Sequence, residues 1–124
     1  MSHPIGYKGD VTLALDCANL DATIAWYEQV MGFQLLYRLA EQGWCEMQGP
    51  AQNISVGFGQ AAEATPKGGC VPVWGVADID AARQHLEGHQ VRFDGPTREV
   101  AGMVRLATFY DPDGNAWMLA QSLR

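Results

Sequence analysis

The residues that could transfer protons are few and scattered. Asp16, Glu46 and Tyr110 carry suitable side chains, but the sequence shows no partner for any of them. The turn Asp111-Pro-Asp-Gly114 offers two neighbouring carboxylates. We interpret it as structural, because Asp bonds the turn backbone, Pro presets φ and Gly accepts a left-handed conformation. The sequence therefore offers possible acids and bases without a complete catalytic set.

The three histidines, His3, His85 and His89, are poorly placed for catalysis or metal binding. His85 and His89 have the i, i+4 spacing of a helical metal-binding pair. Gly88 lies between them, and a glycine at that place is typical of a helix end. We therefore interpret the histidines as solvated surface residues.

Cysteine usage argues against a disulfide framework and against a structural zinc site. Cys17, Cys45 and Cys70 are odd in number and form no C-x-x-C pair. We expect all three to be small buried or half-buried residues, with a reactive free thiol as the alternative.

Length and composition predict a single cytoplasmic domain. The 124 residues are 48% apolar and 18% charged, and 8 Lys and Arg against 14 Asp and Glu give a net charge of −6. Scattered cations and a negative charge exclude nucleic acid and anionic membrane surfaces as partners. No apolar run approaches the ~20 residues of a membrane helix, and the start of the chain lacks the apolar stretch of a signal peptide.

The predicted helices and strands occur in two copies. Asp21 to Gly32 and Asp80 to Gly88 both predict a helix with an Asp N-cap and a C′ glycine. An alternating strand precedes each helix, Val11–Cys17 in the first copy and Val71–Val76 in the second. In both copies the C′ glycine is followed by one other residue, then by Gln and a further strand, so the chain repeats one unit.

Three strands follow each helix. They are Phe33–Leu39, Trp44–Gln48 and Asn53–Phe58 in the first copy, and Gln90–Phe93, Val104–Tyr110 and Ala116–Ser122 in the second. The predicted class is α+β, with two tandem βαβββ modules, 11–60 and 70–122, joined by a linker, 61–69, in one domain, 1–124. A helix covers one face of each curled mixed sheet, so the two remaining faces can enclose a cavity.

The runs Asp21 to Phe33 and Phe109 to Leu119 resemble those of the vicinal oxygen chelate superfamily. This group contains glyoxalase I, bleomycin resistance proteins, fosfomycin resistance enzymes and extradiol dioxygenases. The resemblance extends from Val11 to Gln121 and implies the glyoxalase/bleomycin resistance fold. It does not fix the chemistry, since the superfamily includes isomerases, transferases, oxygenases and non-catalytic drug binders.

The resemblance also implies a divalent metal, held in the family's enzymes by His, Gln or Glu at four places. Those places correspond to Thr12, Val56, Val71 and Met118, and none of these is a credible ligand for Zn²⁺, Mn²⁺, Fe²⁺ or Ni²⁺. Shifting Thr12, Val71 or Met118 by one residue exchanges the faces of the strand and brings in one possible ligand, Cys70, which would stand alone. We therefore predict no metal and no cofactor.

The family pattern directs Thr108 towards the cavity, and strand alternation then places Leu106 and Tyr110 on the same face. Of the four tryptophans, we assign Trp44 to the cavity rim and the others to the core. The predicted ligand-binding residues are Thr12, Ala14, Trp44, Val56, Val71, Val73, Leu106, Thr108, Tyr110, Ala116 and Met118. This lining is mainly apolar, which favours a flat or greasy guest.

Three functions follow from this reasoning. The first is a metal-free protein like the bleomycin resistance proteins, binding a small organic, aromatic or cationic, antibiotic-like molecule. The second is a lyase or isomerase of the glyoxalase I type, acting on a small oxygenated substrate without the usual metal site. The third is a structural relic whose pocket is filled by Met118 and Val56. In each case we expect a homodimer, with exchange of modules between chains.

Overall fold

The computed structural model describes residues 4, 6, 10–62 and 71–124. His3, Cys70 and residues 63–69 of the predicted linker lie outside the described residues. The chain divides into two compact units, Met1–Ala64 and Thr65–Arg124. Within the described ranges, no helix combines the length and apolar character needed to cross a membrane.

Unit 1, Met1–Ala64, has one helix and a four-stranded sheet. Its elements are β1 (Val11–Cys17), α1 (Leu20–Trp26), β2 (Gln34–Leu39), β3 (Trp44–Gln48) and β4 (Ile54–Gln60). A π-helical turn, Tyr27–Met31, continues α1. The strand order is β1-β4-β3-β2, in which β1 and β4 are parallel and the other pairs antiparallel.

Unit 2, Thr65–Arg124, repeats this arrangement. Its elements are β5 (Val73–Gly75), α2 (Ile79–Gly88), β6 (Arg92–Phe93), β7 (Arg98–Val100), β8 (Val104–Tyr110) and β9 (Ala116–Ser122). The strand order is β5-β9-β8-β6, and β7 also pairs with β8. The predicted α+β class with two similar modules is confirmed. Strand β7 was not predicted.

Each helix begins one residue before its predicted cap, and its true N-cap lies two residues before it. The side chains of Asn19 and Asp78 accept a hydrogen bond from the backbone N–H three residues later, at 2.9 and 3.1 Å. These two residues are therefore the N-caps. The predicted caps, Asp21 and Asp80, are wrong, because both already have helical backbone conformations inside the first turn.

Asp21 and Asp80 have a different role, which is the same in both units. Each forms an ion pair with an arginine on the sheet, Asp21 with Arg38 and Asp80 with Arg105. The Arg105 guanidinium donates two hydrogen bonds of 3.0 Å to Asp80 and lowers the pKa of that carboxyl. Carboxylates in a first helical turn also interact favourably with the helix dipole.

The two helices end differently. The turn after α1 ends at Gly32 with φ 74°, as expected for a C′ glycine. Gly88 is instead the last residue of α2, and the left-handed residue is Gln90, with φ 59°. The prediction of Gly88 as the C′ residue is wrong. The backbone N–H groups of His89 and Gln90 donate hydrogen bonds to carbonyls of the last turn, so the helical turn continues for two more residues.

A glutamine on the last strand of each module binds the start of the helix. The Gln60 side-chain oxygen accepts from the Leu20 N–H at 2.8 Å, and that of Gln121 accepts from the Ile79 N–H at 2.7 Å. Both bonds satisfy amides that the helix itself leaves without partners. Gln60 and Gln121 therefore occupy equivalent places in the repeat.

The core of each unit lies between its helix and one face of its sheet. In unit 1 the Tyr27 ring packs against Phe58 with centroids 4.6 Å apart, and in unit 2 Phe109 and Trp117 are fully buried. Buried and less buried residues alternate along β3, β8 and β9. We call the helix-free face of each sheet its open face.

Candidate functional site

The open face of unit 1 carries a row of residues that crosses all four strands. Ala14 pairs with Gly57, Gly57 with Glu46, and Glu46 with Tyr37. The register of β2 shifts at Leu36, which is an extra residue between the pairs formed by its neighbours. This bulge places Tyr37, rather than Leu36, opposite Glu46.

Hydroxyl groups from three strands converge on the Glu46 carboxylate. Tyr37 donates to Oε1 at 2.8 Å, and Ser55 donates to Oε2 at 2.7 Å. Thr12 Oγ1 lies 3.0 Å from the Ser55 hydroxyl and 3.5 Å from Glu46 Oε2. Because charge-assisted hydrogen bonds are stronger than neutral ones, these donors fix both carboxylate oxygens.

Trp44 extends this network and lies over the sheet. Its indole N–H donates to the Tyr37 hydroxyl oxygen at 3.3 Å. A Cβ added at Gly57 would lie only 2.1 Å from Trp44 Cζ2 and Cη2. Because Gly57 has no Cβ, the half-buried indole can lie against the open face at this position.

The prediction that Val56 lines the cavity is wrong. Val56 is fully buried and pairs with Met47, which is also fully buried on the helix side of the sheet. Val56 corresponds to Met118 only if Asn53 is matched with Asn115 in the repeat. Because Gln60 and Gln121 are equivalent, the counterpart of Met118 is Gly57, one residue further along β4.

The residues present do not fit the metal that the resemblance implies. With Val56 replaced by Gly57, the four places hold Thr12, Gly57, Val71 and Met118, which supply one hydroxyl oxygen. The space above Gly57 is taken by the Trp44 indole. Transition metals bind imidazole, carboxylate or thiolate, and no group of three such side chains occurs among the described residues.

The open face of unit 2 is mainly apolar. Met118 pairs with Val73 on one side and with Thr108 on the other. Leu106 and Tyr110 share this face, because the residues that alternate with them are buried. Val73 is 50% exposed, so solvent reaches this end of the apolar strip formed by Val73, Leu106 and Met118.

Two arginines border this apolar strip. The Arg92 guanidinium lies over the Tyr110 ring, with its central carbon 4.3 Å from the ring centroid. Arg98 pairs with Leu106 across β7 and β8. Since opposite residues of a strand pair point to the same side, Arg98 also belongs to the open face. This face therefore combines an apolar centre with a positively charged edge.

The structure separates the predicted lining residues into distinct groups. Unit 1 brings together Thr12, Ala14 and Trp44, and unit 2 brings together Val73, Leu106, Thr108, Tyr110, Ala116 and Met118. Val71 is 39% exposed and precedes β5. Sequence reasoning missed Tyr37, Ser55 and Gly57. Matching Gln60 with Gln121 would have revealed Ser55 and Gly57, but no sequence signal marked the bulge that places Tyr37.

The Asp111 turn has a structural role, and the two described histidines lie at the surface. Asp111 is buried, and its Oδ1 accepts from the backbone N–H of Asp113 at 3.0 Å and of Asn115 at 2.8 Å, as predicted for a structural turn. His85 and His89 are exposed at the end of α2, with ring centroids 4.9 Å apart.

Cys17 and Cys45 are free thiols in the core of unit 1. Burial raises the pKa of the Cys45 thiol to about 11, and the neighbouring Cys17 contributes to the increase. A thiol with such a pKa is protonated near neutral pH and is a poor nucleophile. The expectation of buried cysteines is confirmed for these two.

Solved structures with the same fold come from several bacteria. A superfamily member from Sphaerobacter thermophilus is 20% identical, with a TM-score of 0.76 over 91% of this chain and 96% of that one. A fosfomycin resistance protein from Listeria monocytogenes is 15% identical, with a TM-score of 0.77 over 94% of both chains. An antibiotic-binding protein from a Streptomyces species is 21% identical, with a TM-score of 0.71 over 94% and 97%.

At these identities, the likeness to solved structures shows the fold alone. The comparison with curated proteins found no significant match. The family assignment comes from the sequence, because the family model of the Glyoxalase/Bleomycin resistance protein/Dioxygenase superfamily matches residues 11–119. That match runs from the start of β1 into β9 and so spans most of both modules, and the chain belongs to this superfamily.

Proposed function

We propose that this protein binds a small, flat organic molecule on its open faces without using a metal ion. The main observation behind the proposal is the placement of Trp44. Its indole lies over Gly57 and donates a hydrogen bond to the Tyr37 hydroxyl. An aromatic ring fixed in this way offers a stacking surface at little cost in conformational entropy. The helix of unit 1 packs on the opposite face of the sheet, so it does not cover this ring.

The open face of unit 2 supports the same proposal. Leu106, Met118 and Val73 provide an apolar surface, and the Thr108 hydroxyl adds one polar group within it. Ligand sites commonly combine an apolar lining with a few polar groups that orient the guest. The relatives named for antibiotic binding and fosfomycin resistance are consistent with a small organic ligand.

A fluorescence screen tests this function. Tryptophan emission is recorded during titration with a library of neutral and charged aromatic compounds, in buffer containing EDTA. We expect saturable quenching by some of them and its weakening in Trp44→Phe. Trp26→Phe, a change on helix α1, serves as the matched control and keeps the binding. The proposal fails if no compound binds saturably, or if binding requires a divalent metal.

Acid–base catalysis is the second candidate, favoured by one observation. The Tyr37 hydroxyl donates to Glu46 at 2.8 Å, which gives the open face a proton donor next to a carboxylate. A lyase or isomerase would turn over the glutathione adduct of methylglyoxal, and Tyr37→Phe and Glu46→Gln would both slow the reaction. Absence of turnover by the unaltered protein would count against this candidate.

A homodimer is part of the proposal. Strand β2 is an edge of its sheet, all six of its residues are exposed, and Leu36 and Leu39 are 51% and 46% exposed. Uncovered apolar edge strands favour association. Light scattering at micromolar concentration is expected to give twice the 13.5 kDa mass of one chain. A mass of one chain at all concentrations would exclude the dimer and the exchange of modules.

A further inference from the structure

Among the residues that the structure describes, no basic side chain is hydrogen-bonded to the Glu46 carboxylate. Within the described part of the chain, its contacts are with the hydroxyl groups of Tyr37, Ser55 and Thr12. Hydroxyl donors hold a carboxylate in place but bring no positive charge. Glu46 is half-buried, so solvent compensates its negative charge less completely than it does at a fully exposed carboxylate.

The same carboxylate still has room for another donor. Its two oxygens offer about four acceptor positions, and the hydroxyl contacts described above use at most three of them. Because Tyr37 holds one oxygen and Ser55 the other, the carboxylate is oriented before a ligand arrives. A preorganised acceptor loses less conformational entropy on binding.

An aromatic ring has a fixed position relative to this carboxylate. The Trp44 N–H donates to Tyr37, and Tyr37 donates in turn to Glu46. The indole and the carboxylate are thus joined through a single phenol. Cations are attracted both by a carboxylate and by the face of an indole ring.

We infer that Thr12, Tyr37, Trp44, Glu46 and Ser55, here called the Glu46 cluster, bind an organic cation. This inference rests on the proposed function and specifies its ligand as a flat molecule carrying an amidinium or ammonium group. A divalent metal ion is a poorer match, because such ions take several carboxylate or carbonyl ligands and the cluster has one carboxylate. The positive group binds Glu46, and the adjoining flat group contacts Trp44.

Benzamidinium and benzamide form the test pair. They have nearly the same size and shape, but only benzamidinium is charged near neutral pH. Calorimetric titration of the full chain is expected to give benzamidinium an affinity at least about tenfold higher than that of benzamide. Equal affinities, or no measurable binding of benzamidinium, would overturn the inference.

Two charge-matched variants locate the effect. Glu46→Gln is expected to reduce the preference for benzamidinium to within about twofold. Glu28→Gln removes the same charge from an exposed position in the turn after α1 and is expected to retain the preference. The inference is overturned if both variants lose the preference equally, because the effect would then come from net charge.

A further variant and the neutral probe complete the design. Ser55→Ala keeps the charge of Glu46 but removes a 2.7 Å hydrogen bond, so a preference reduced by about threefold is expected even if Glu46→Gln does not fold. An unchanged preference in Ser55→Ala would contradict the preorganised carboxylate. If neutral aromatic compounds bind in the fluorescence screen while benzamidinium shows no advantage, the proposed function stands and the cation site does not.

Discussion

The indole of Trp44 occupies the space above Gly57, so that a Cβ at position 57 would lie 2.1 Å from Cζ2 and Cη2 of the ring. Gly57 is also the place that corresponds to Met118 in the second module, since Gln60 and Gln121 are equivalent. The place where family enzymes carry a metal ligand is therefore covered by an aromatic ring. Among the described residues, the four places hold no suitable set of metal donors, and the ring above Gly57 offers a flat surface instead.

Gly57→Ala is predicted to displace the Trp44 indole. Because the added methyl group and the ring cannot share the space, we expect a loss of about 1–3 kcal/mol in the free energy of unfolding and a red-shifted Trp44 emission. Gly59→Ala is the control, since a Cβ there meets Trp44 at an ordinary 3.8 Å. Equal effects of the two substitutions in chemical denaturation would contradict the placement of the ring.

The assignment of Val56 to the core and Val73 to the open face can be tested with one isosteric change. Val56→Thr buries a hydroxyl group among apolar side chains and is predicted to cost about 1–3 kcal/mol of unfolding free energy. Val73→Thr exposes its hydroxyl to water, as Val73 is 50% exposed, and is expected to change stability little. Urea unfolding measures both, and the reverse order would show that β4 has been assigned the wrong face.

Helix α1 is predicted to depend on Asn19 more than on Asp21. Asn19→Ala removes the side-chain acceptor of the N-cap and is expected to cost about 0.5–2 kcal/mol. Asp21→Ala removes an ion pair with Arg38, and pairs between exposed side chains contribute only about 0–1 kcal/mol. Thermal unfolding of both variants gives the comparison. A larger loss in Asp21→Ala would identify Asp21 as the more important residue.

The Cys45 thiol is predicted to make stability fall in alkaline solution. Burial raises its pKa from 9.0 to about 11 in the folded chain, so between these values the unfolded chain has lost a proton that the folded chain retains. The unfolded state is then favoured as pH rises through this range. Cys45→Ala is expected to show a shallower decline in urea unfolding between pH 9 and pH 11. An identical decline would contradict the raised pKa.

Much of the fold could be predicted from the sequence because its signals are local. Four strands have the predicted bounds, because apolar patterns and turn residues mark them in the sequence. They are Val11–Cys17, Trp44–Gln48, Val104–Tyr110 and Ala116–Ser122. Helix caps were less certain, because Asn19 and Asp21 are both suitable capping residues and only the backbone conformation distinguishes them.

The site was less predictable because it depends on register between strands. A one-residue error in β4 placed Val56 instead of Gly57 on the open face, since successive residues of a strand point to opposite sides. The bulge at Leu36 moved Tyr37 opposite Glu46, and nothing in the local sequence indicates that shift. The hydrogen-bond network around Glu46 follows from both features, so it became visible only in the three-dimensional arrangement.

The most direct test of ligand binding on the open faces is a nuclear magnetic resonance titration in the presence of EDTA. The ligand is the tightest-binding compound from the fluorescence screen, and the amide shifts of residues on the open faces are compared with those of residues that face the helices. Binding on the open faces is expected to give large shifts at Glu46 and Ser55, or at Thr108 and Met118, and small shifts at helix-facing Phe58. Shifts concentrated around Phe58 and the helices, or no shifts until a divalent metal is added, would contradict metal-free binding on the open faces.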